Sequence, residues 1–321
     1  MPSGITHILF TKELLNKLSS SRLKFILQDS SAFLTIGAVS PDLPYASIVD
    51  NDFFLTTESP LADKFHYEKT NQIPLQSLIK LKSIKDTLTL QVQFQMFSFF
   101  LGYISHVVAD GIIHPFVRDQ VGDYAENKSA HRSLEMQLDV LFYEELTKHI
   151  GYASELNYTD IQDELLNYSF NRESNQTIRL FGQLIKNVYG QTYAVKKINS
   201  WIGGLHRLFN VAAGEHIQIY RHLEANTFLF KNREDIDPVK ALILKKPVDR
   251  DTNFLKIETI DFMQLCVPKF FERFIPLAKK SYAFVFEDGT QLTEVDIPAI
   301  NLDTGRLISS DDLDLIPEFW K

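Results

Sequence analysis

Two short stretches carry the pattern that predicts the fold: HVVADGIIH at residues 106–114 and HRSLE at residues 131–135. In both, His, Asp or Glu recur every four residues within segments whose apolar spacing predicts helices. Residues four apart share one helix face, with Cβ atoms about 5–6 Å apart, so two of them can bind one metal ion. His106 and His114 would lie about 12 Å apart along the axis, which is too far to share an ion. We therefore interpret Asp110 as a carboxylate that bridges one ion on each side.

A metal-free network is the alternative for these residues. A carboxylate buried in a helix rich in Phe and Val is costly unless it is paired or binds a metal. No Arg or Lys lies within 97–113 to pair with Asp110, and the nearest, Arg118, follows a proline. A salt bridge from a distant basic residue stays open for Asp110. For His131 and Glu135 taken alone, the alternative is a solvated surface pair.

The composition restricts the ligands and the partners. The chain has 321 residues, of which 45% are hydrophobic, and its 25 Phe against 13 Gly and 12 Pro favour a helix-rich core. A single cysteine, Cys266, excludes an intramolecular disulfide and a cysteine-based zinc site, so the ligands must be His, Asp and Glu. The net charge of −8 argues against a nucleic-acid backbone as partner.

The start of the chain and its most apolar stretch indicate where in the cell the protein is expected. MPSGITHILFTKELL has no basic region followed by a continuous apolar run, so no cleavable signal is predicted. The apolar stretch 97–113 is interrupted by His106 and Asp110 and is shorter than a membrane span, so no transmembrane segment is predicted. We expect a cytoplasmic protein, with non-classical export as the alternative.

The apolar periodicity predicts an all-α fold. Two short helices are expected within 5–27, and a long helix over 88–113 should end near His114, because Pro115 disfavours helical geometry in the residue before it. Further helices are predicted at 129–149, 159–168, 175–190, 191–224 and 259–280.

Two other segments are predicted to be non-helical. The prolines of GAVSPDLPY, residues 37–45, indicate an irregular loop, and AFVFEDGTQLTEV, residues 283–295, predicts a short β-hairpin around Asp288 and Gly289. We expect a single helical domain at 1–281 and a C-terminal extension at 282–321 packed on it.

The order of the polar residues completes the pattern. It runs through His7, Asp42, His66, His106, Asp110, His114, His131 and Glu135. This set resembles the zinc-dependent phospholipase C superfamily over roughly residues 2–220. The H-x3-D-x3-H spacing and the GAVSPDLPY loop are most similar to the catalytic domain of glycosylphosphatidylinositol-specific phospholipase D. Bacterial phospholipases C and, more distantly, fungal single-strand nucleases belong to the same superfamily.

The resemblance implies a helical fold of the phospholipase C and nuclease type around two to three Zn²⁺ ions. It implies that the eight residues above bind metal and that Asp42 also acts in catalysis as a general base or water-positioning carboxylate. In this superfamily the mature N-terminal residue binds one zinc, so Pro2 is expected to be a ligand after removal of Met1. Asp63 is an alternative to His66.

Three functions follow from this resemblance. The first is a zinc-dependent phosphodiester hydrolase that resembles phospholipase C and cleaves a phospholipid headgroup, with peripheral membrane contact. The second is a nuclease or nucleotidase on the same metal scaffold, which the acidic charge disfavours. The third is a non-catalytic protein that zinc stabilises.

Overall fold

The computed structural model describes residues 4–49, 58–150, 174–213, 243–244, 260–310 and 315–321. Its α-helices are α1 Gly4–Lys17, α2 Arg22–Asp29, α3 Ser31–Ala38, α4 Ser59–Tyr67, α5 Gln72–Ile84, α6 Leu90–Val121, α7 Tyr124–Ile150, α8 Ser174–Tyr189, α9 Val195–Ala213 and α10 Val267–Phe286. Two strands of two residues each, β1 Ile243–Leu244 and β2 Ile260–Asp261, pair antiparallel. The predicted all-α class is confirmed. The predicted helix at 159–168 and the part of 191–224 beyond 213 lie outside the described residues.

Helix α6 is the centre of the fold. The Thr89 hydroxyl caps its start by accepting from the amide of Val92, and Gly122, with φ of 82°, follows its end. Almost all of α6 is buried, and α1, α3, α5, α7, α8 and α10 pack around it. By length and composition α6 could cross a membrane, but its most apolar stretch of 18 residues is wholly buried in this protein, as in the central helix of a folded domain.

The predicted end of this helix near His114 is wrong, because α6 continues through Pro115 to Val121. A proline inside a helix costs roughly 3 kcal/mol. The turn that follows it brings Phe116 and Val117 into the core with no solvent exposure. Burying two such side chains stabilises the fold by about 1.5–3 kcal/mol each, which offsets the cost of the proline.

The C-terminal segment covers the backbone that Pro115 leaves without its usual partner. A proline has no amide hydrogen to donate to the carbonyl four residues earlier, here that of Gly111. Gly305 packs against this carbonyl so closely that a Cβ on Gly305 would lie 2.7 Å from the oxygen. The indole of Trp320 donates to the next carbonyl, that of Ile112, at 3.1 Å. The C-terminal segment thus covers this part of α6 by close packing and adds one hydrogen bond to it.

Two glycines bring α3 against α6. A Cβ on Gly102 would lie 2.2 Å from the carbonyl oxygen of Leu34, and a Cβ on Gly37 would lie 1.9 Å from that of Phe99. The two backbones are therefore in direct contact, which only residues without a Cβ permit at these positions. His106 lies one turn after Gly102, so this contact places it against the end of α3.

The predicted β-hairpin around Gly289 is wrong. Residues 283–286, which it assigned to a strand, form the last turn of α10. The ring of Phe286 packs edge-on against Phe97 of α6 at 5.3 Å between centroids, and Tyr282 also contacts Phe97. This packing favours the helix over the strand that the local β propensity predicts. The proposed domain boundary at 281/282 falls inside α10, and the division itself stays a prediction.

The extended chain after α10 runs back to the centre of the fold. The amide of Leu302 donates to the carbonyl of His66 at 2.9 Å. The hydroxyl of Thr70 donates to the carbonyl of Ile300 at 2.7 Å, and Ile300 forms an isolated bridge with Leu307. The segment thereby lies beside α4 and the middle of α6.

Gly102→Ala should lower the free energy of unfolding by about 1–3 kcal/mol or more, because the new methyl group collides with the backbone of α3. Gly182→Ala in α8 is the matched control. Its methyl group would meet the end of the flexible Ile198 side chain at 3.1 Å and the carbonyl oxygen of Tyr193 at an ordinary contact distance of 3.5 Å, and alanine is about 1 kcal/mol better than glycine in a helix. Urea denaturation of both variants measures the difference. Equal stability of Gly102→Ala and the wild type would contradict the close contact.

Candidate metal centre

Eight of the nine predicted site residues meet in one buried cluster. They are His7 on α1, Asp42 after α3, His66 on α4, His106, Asp110 and His114 on α6, and His131 and Glu135 on α7. Even the most exposed of them, His114, is only 6% exposed. Pro2, the ninth, lies outside the described residues. The ligand role of all nine stays a prediction.

The Asp110 carboxylate lies between imidazoles from three helices. Its Oδ2 is 3.0 Å from Nε2 of His106 and 3.6 Å from Nε2 of His66. Its Oδ1 is 3.2 Å from Nε2 of His7 and 3.8 Å from Nε2 of His114. The two oxygens therefore face different histidines, as a bridging carboxylate requires.

Helix α7 contributes the other side of the cluster. The Oε1 of Glu135 lies 3.0 Å from Nε2 of His131, one turn earlier, and 3.1 Å from Nε2 of His114 on α6. The i, i+4 spacing thus points both α7 side chains at α6 rather than at solvent. The solvated surface pair is excluded for these two residues, since His131 and Glu135 are both buried.

Asp42 enters through the turn that follows α3. Its amide donates to the carbonyl of Val39, and its Oδ1 lies 3.2 Å from Nε2 of His66. The 3-10 helix Leu43–Val49 after Asp42 packs against α9, where a Cβ on Gly204 would lie 2.3 Å from the carbonyl of Ala46.

The structure brings His66, and not Asp63, into the cluster. Asp63 is exposed and accepts a hydrogen bond from the hydroxyl of Tyr45 at 2.7 Å. The turn from Asp63 to His66 on α4 points the histidine inward, where its ring is buried.

The outer hydrogen bonds of two histidines define which ring nitrogens face the cluster. Nδ1 of His106 lies 2.8 Å from the carbonyl of Ala38, and Nδ1 of His66 lies 2.7 Å from that of Ala62. A carbonyl only accepts, so both Nδ1 atoms carry a proton, and the two Nε2 atoms are the ones that face the cluster. These Nε2 atoms are 3.3 Å apart and face carboxylate oxygens. This is the orientation in which both Nε2 atoms would be available as ligands to a metal ion.

The donor set fits zinc. Three groups have ligand atoms that all lie within 4.8 Å of one another: His7, His106 and Asp110; Asp42, His66 and His106; and His114, His131 and Glu135. Imidazole nitrogens and carboxylate oxygens are common zinc ligands. The buried oxygens Oδ2 of Asp42 and Oε2 of Glu135 accept no hydrogen bond within the described part of the chain. Since His106 offers one nitrogen, it can bind only one ion of the first two groups.

The electrostatics of the metal-free cluster favour charged carboxylates. Burial alone would raise the pKa of Asp110 and Glu135, but neighbouring imidazoles hold both well below the usual range. Burial would lower the pKa of His114, but the charges of Asp110 and Glu135 outweigh it and raise this pKa to about 9. The pKa of His106 is also raised, despite its burial, chiefly by Asp110. Burial and the charge of His106 lower the pKa of His7.

Sequence reasoning missed Asp139, which lies one turn after Glu135. It is fully buried, and its Oδ1 accepts from the amide of Thr6 at 2.9 Å and from the Thr6 hydroxyl. Burial raises its pKa well above the usual range. Its contact holds the first turn of α1, which carries His7. The spacing HRSLEMQLD, which repeats the interval of four, is the signal that could have found it.

Sequence reasoning also missed the buried pair of Arg118 and Asp303. Arg118, on α6, donates to the carboxylate of Asp303 in the C-terminal segment and to that of Asp123. The two partners of this pair are 185 residues apart, so no local pattern relates them.

Comparison with known protein families gives a match. A family model described as zinc dependent phospholipase C matches residues 6–200, which is more than half of the chain. This span contains all eight clustered residues. No curated protein and no solved structure matches the chain.

Metal-free protein should lose stability as the pH rises from about 6.5 to about 9. The folded pKa of His114, about 9, lies above its unfolded value of about 6.5, so the folded state binds more protons in this range. The contribution of His114 is complete below the unfolded pKa and is lost as the pH rises through the folded pKa. His106 contributes with the same sign. Urea denaturation of chelated protein at several pH values measures the slope.

Zinc should reverse this dependence, because it competes with the same protons and binds more tightly as they leave. The stabilisation that zinc adds should therefore grow over the same pH range. His114→Gln is the control, and its metal-free slope should be flatter. If the chelated and zinc-loaded proteins showed the same pH dependence, the histidines of the cluster would not be zinc ligands.

Proposed function

The chain belongs to the zinc-dependent phospholipase C family, and on this basis we propose that it is a phosphodiester hydrolase that cleaves phospholipid headgroups. The observation that carries the proposal is the Asp110 carboxylate, which faces His7 and His114 with one oxygen and His66 and His106 with the other. A site built around such a carboxylate suits several cations close together.

We propose two to three zinc ions for this cluster. His114, His131 and Glu135 would hold one ion, and His7, Asp42, His66, His106 and Asp110 would hold the others, with Pro2 completing the set. Zinc ions at such a site neutralise phosphate oxygens and lower the pKa of bound water towards about 7.

Asp42 is the proposed catalytic carboxylate. Burial alone would raise its pKa, but the charges of His106 and His66 outweigh burial and lower it, so Asp42 is ionised at neutral pH. Its Oδ1 faces His66 at 3.2 Å, while its Oδ2 accepts no hydrogen bond within the described residues. The second oxygen is therefore available to accept a hydrogen bond from a water molecule and to orient that water towards a phosphorus atom.

Three half-buried tyrosines flank the cluster. The rings of Tyr45 and Tyr67 lie 5.9 and 6.4 Å from that of His66, and the ring of Tyr124 lies 5.0 Å from that of His131. Tyrosine offers an apolar face and a polar tip, which suits the boundary between a headgroup and acyl chains. We propose that these rings contact the substrate during peripheral contact with a membrane. The net charge of −8 disfavours a nucleic acid as substrate.

The deciding experiment offers three substrates to the zinc-loaded protein with and without chelator: phosphatidylcholine vesicles, phosphatidylinositol vesicles and single-stranded DNA. We expect chelator-sensitive release of a phosphorylated headgroup and diacylglycerol. Release of phosphatidic acid would instead indicate cleavage on the headgroup side of the phosphate. Cleavage of DNA alone would overturn the lipid proposal. Full zinc occupancy without hydrolysis of any substrate would indicate a non-catalytic, zinc-stabilised protein.

Asp42→Asn should keep its zinc and lower turnover by about 10²–10⁴-fold, because the amide oxygen is a far weaker base than the carboxylate. Asp29→Asn, at an exposed position on α2, is the matched control and should keep wild-type turnover. Zinc content by elemental analysis and initial rates on phospholipid vesicles are the measurements. Wild-type turnover in Asp42→Asn would remove Asp42 from catalysis.

A further inference from the structure

The C-terminal segment beyond the family match reaches the metal centre through one carboxylate. We propose that Asp303 is a positioning residue for zinc. Its carboxylate is the outer hydrogen-bond partner of the His114 ring when zinc is bound. It also compensates the charge of Arg118, which lies beside the group His114, His131 and Glu135. This inference rests on the zinc centre of the proposed function. It adds a residue that lies about 100 positions after the end of the matched span, residues 6–200.

Arg118 joins three segments at this place. It follows His114 by one turn on α6, so both side chains leave the same helix face. Arg118 is only 4% exposed, and its guanidinium donates to Asp303 in the C-terminal segment and to Asp123 just before α7. Helix α7 carries the other two residues of this ligand group. Asp303 therefore lies where α6, α7 and the C-terminal segment meet.

The backbone around Asp303 is held on both sides. The amide of Leu302 donates to the carbonyl of His66 at 2.9 Å, and the amide of Asp303 donates to the side chain of Asn301 at the same distance. Gly305 packs against the carbonyl of Gly111 on α6. A side chain on such a fixed backbone can orient a neighbouring residue, which one on a loose loop could not do.

Two buried atoms indicate the pairing. Metal-binding histidines almost always donate their other ring N–H to a carbonyl or a carboxylate. His66 and His106 have backbone carbonyls for this purpose. Nδ1 of His114 has no hydrogen-bond partner among the described residues, and neither does Oδ1 of Asp303, so the two atoms do not bond each other without zinc and both are available for this pairing. The negative charge of Asp303 also raises the pKa of His114, although it contributes less than Asp110 and Glu135 do.

Charge compensation gives Asp303 a second effect on zinc. Arg118 is a permanent cation four residues from a predicted zinc ligand. Two like charges repel strongly in a buried site, where the effective dielectric constant is low. The guanidinium pairs with both Asp303 and Asp123, and Asp303 is the more buried of these two carboxylates, so its charge does most to reduce this repulsion. Without that carboxylate, Arg118 would oppose the binding of a divalent cation at His114.

The test is a zinc titration of Asp303→Asn. We expect one zinc equivalent to bind about 10–100-fold more weakly than in the wild type, while the remaining zinc keeps its affinity. Elemental analysis after dialysis against graded chelator concentrations gives the stoichiometry. Asp296→Asn is the matched control, since Asp296 lies on the same segment in an exposed ion pair with Lys280, and its zinc binding should equal that of the wild type.

A purely structural role predicts a different result. In that case Asp303→Asn would melt at a lower temperature without zinc and yet bind zinc with wild-type affinity, and this outcome would overturn the inference. If Asp303→Asn does not fold, Asp303→Glu takes its place in the titration. It keeps the charge and moves the carboxylate by one methylene, so we expect intermediate affinity, and wild-type affinity would again count against the inference.

Failure of the inference and failure of the proposed function give different results. Wild-type zinc affinity in Asp303→Asn, with phospholipid hydrolysis intact in the wild type, would remove Asp303 alone. A wild-type protein that binds no zinc would remove the metal centre and the inference together.

Discussion

The structure depends on a carboxylate that is buried where only a cation can satisfy it. Asp110 lies within the longest described helix and faces four imidazoles from three helices. Removing such a charge from water costs several kcal/mol unless opposite charge lies within contact distance. Every element that carries a histidine of the cluster must therefore be held in place, and zinc binding and folding are thermodynamically linked.

The apolar core supplies this rigidity. Helix α6 is buried along almost its whole length, so the three cluster residues that it carries face inward with no solvent to compete for them. Gly37 and Gly102 bring α3 against α6, which places the carbonyl of Ala38 on Nδ1 of His106. The same packing directs Nε2 of this histidine at Asp110. A contact made for packing thus selects the tautomer that can bind a metal ion.

Two sequence predictions are wrong for the same physical reason. Local rules predicted that α6 ends before Pro115 and that residues 283–295 form a hairpin. In the structure the burial of Phe116 and Val117 carries α6 past the proline, and aromatic packing of Phe286 on α6 extends α10. In both places the free energy of burial exceeds a local preference of a few kcal/mol or less. Such burial depends on partners that are distant in sequence, so periodicity could not reveal it.

The sequence by itself determined the helical class and the faces on which the polar residues lie, because the interval of four residues is a property of a single helix. It also predicted eight residues that the structure brings together. The tertiary structure alone shows that α1, α4, α6, α7 and the turn after α3 direct these residues at one another, that Asp139 holds the turn that carries His7, and that Asp303 pairs with Arg118 one turn after His114. Asp303 meets Arg118 across 185 residues, and no local pattern encodes a contact at that separation. Such a contact arises from the packing of the whole core, which places side chains from distant segments at one point.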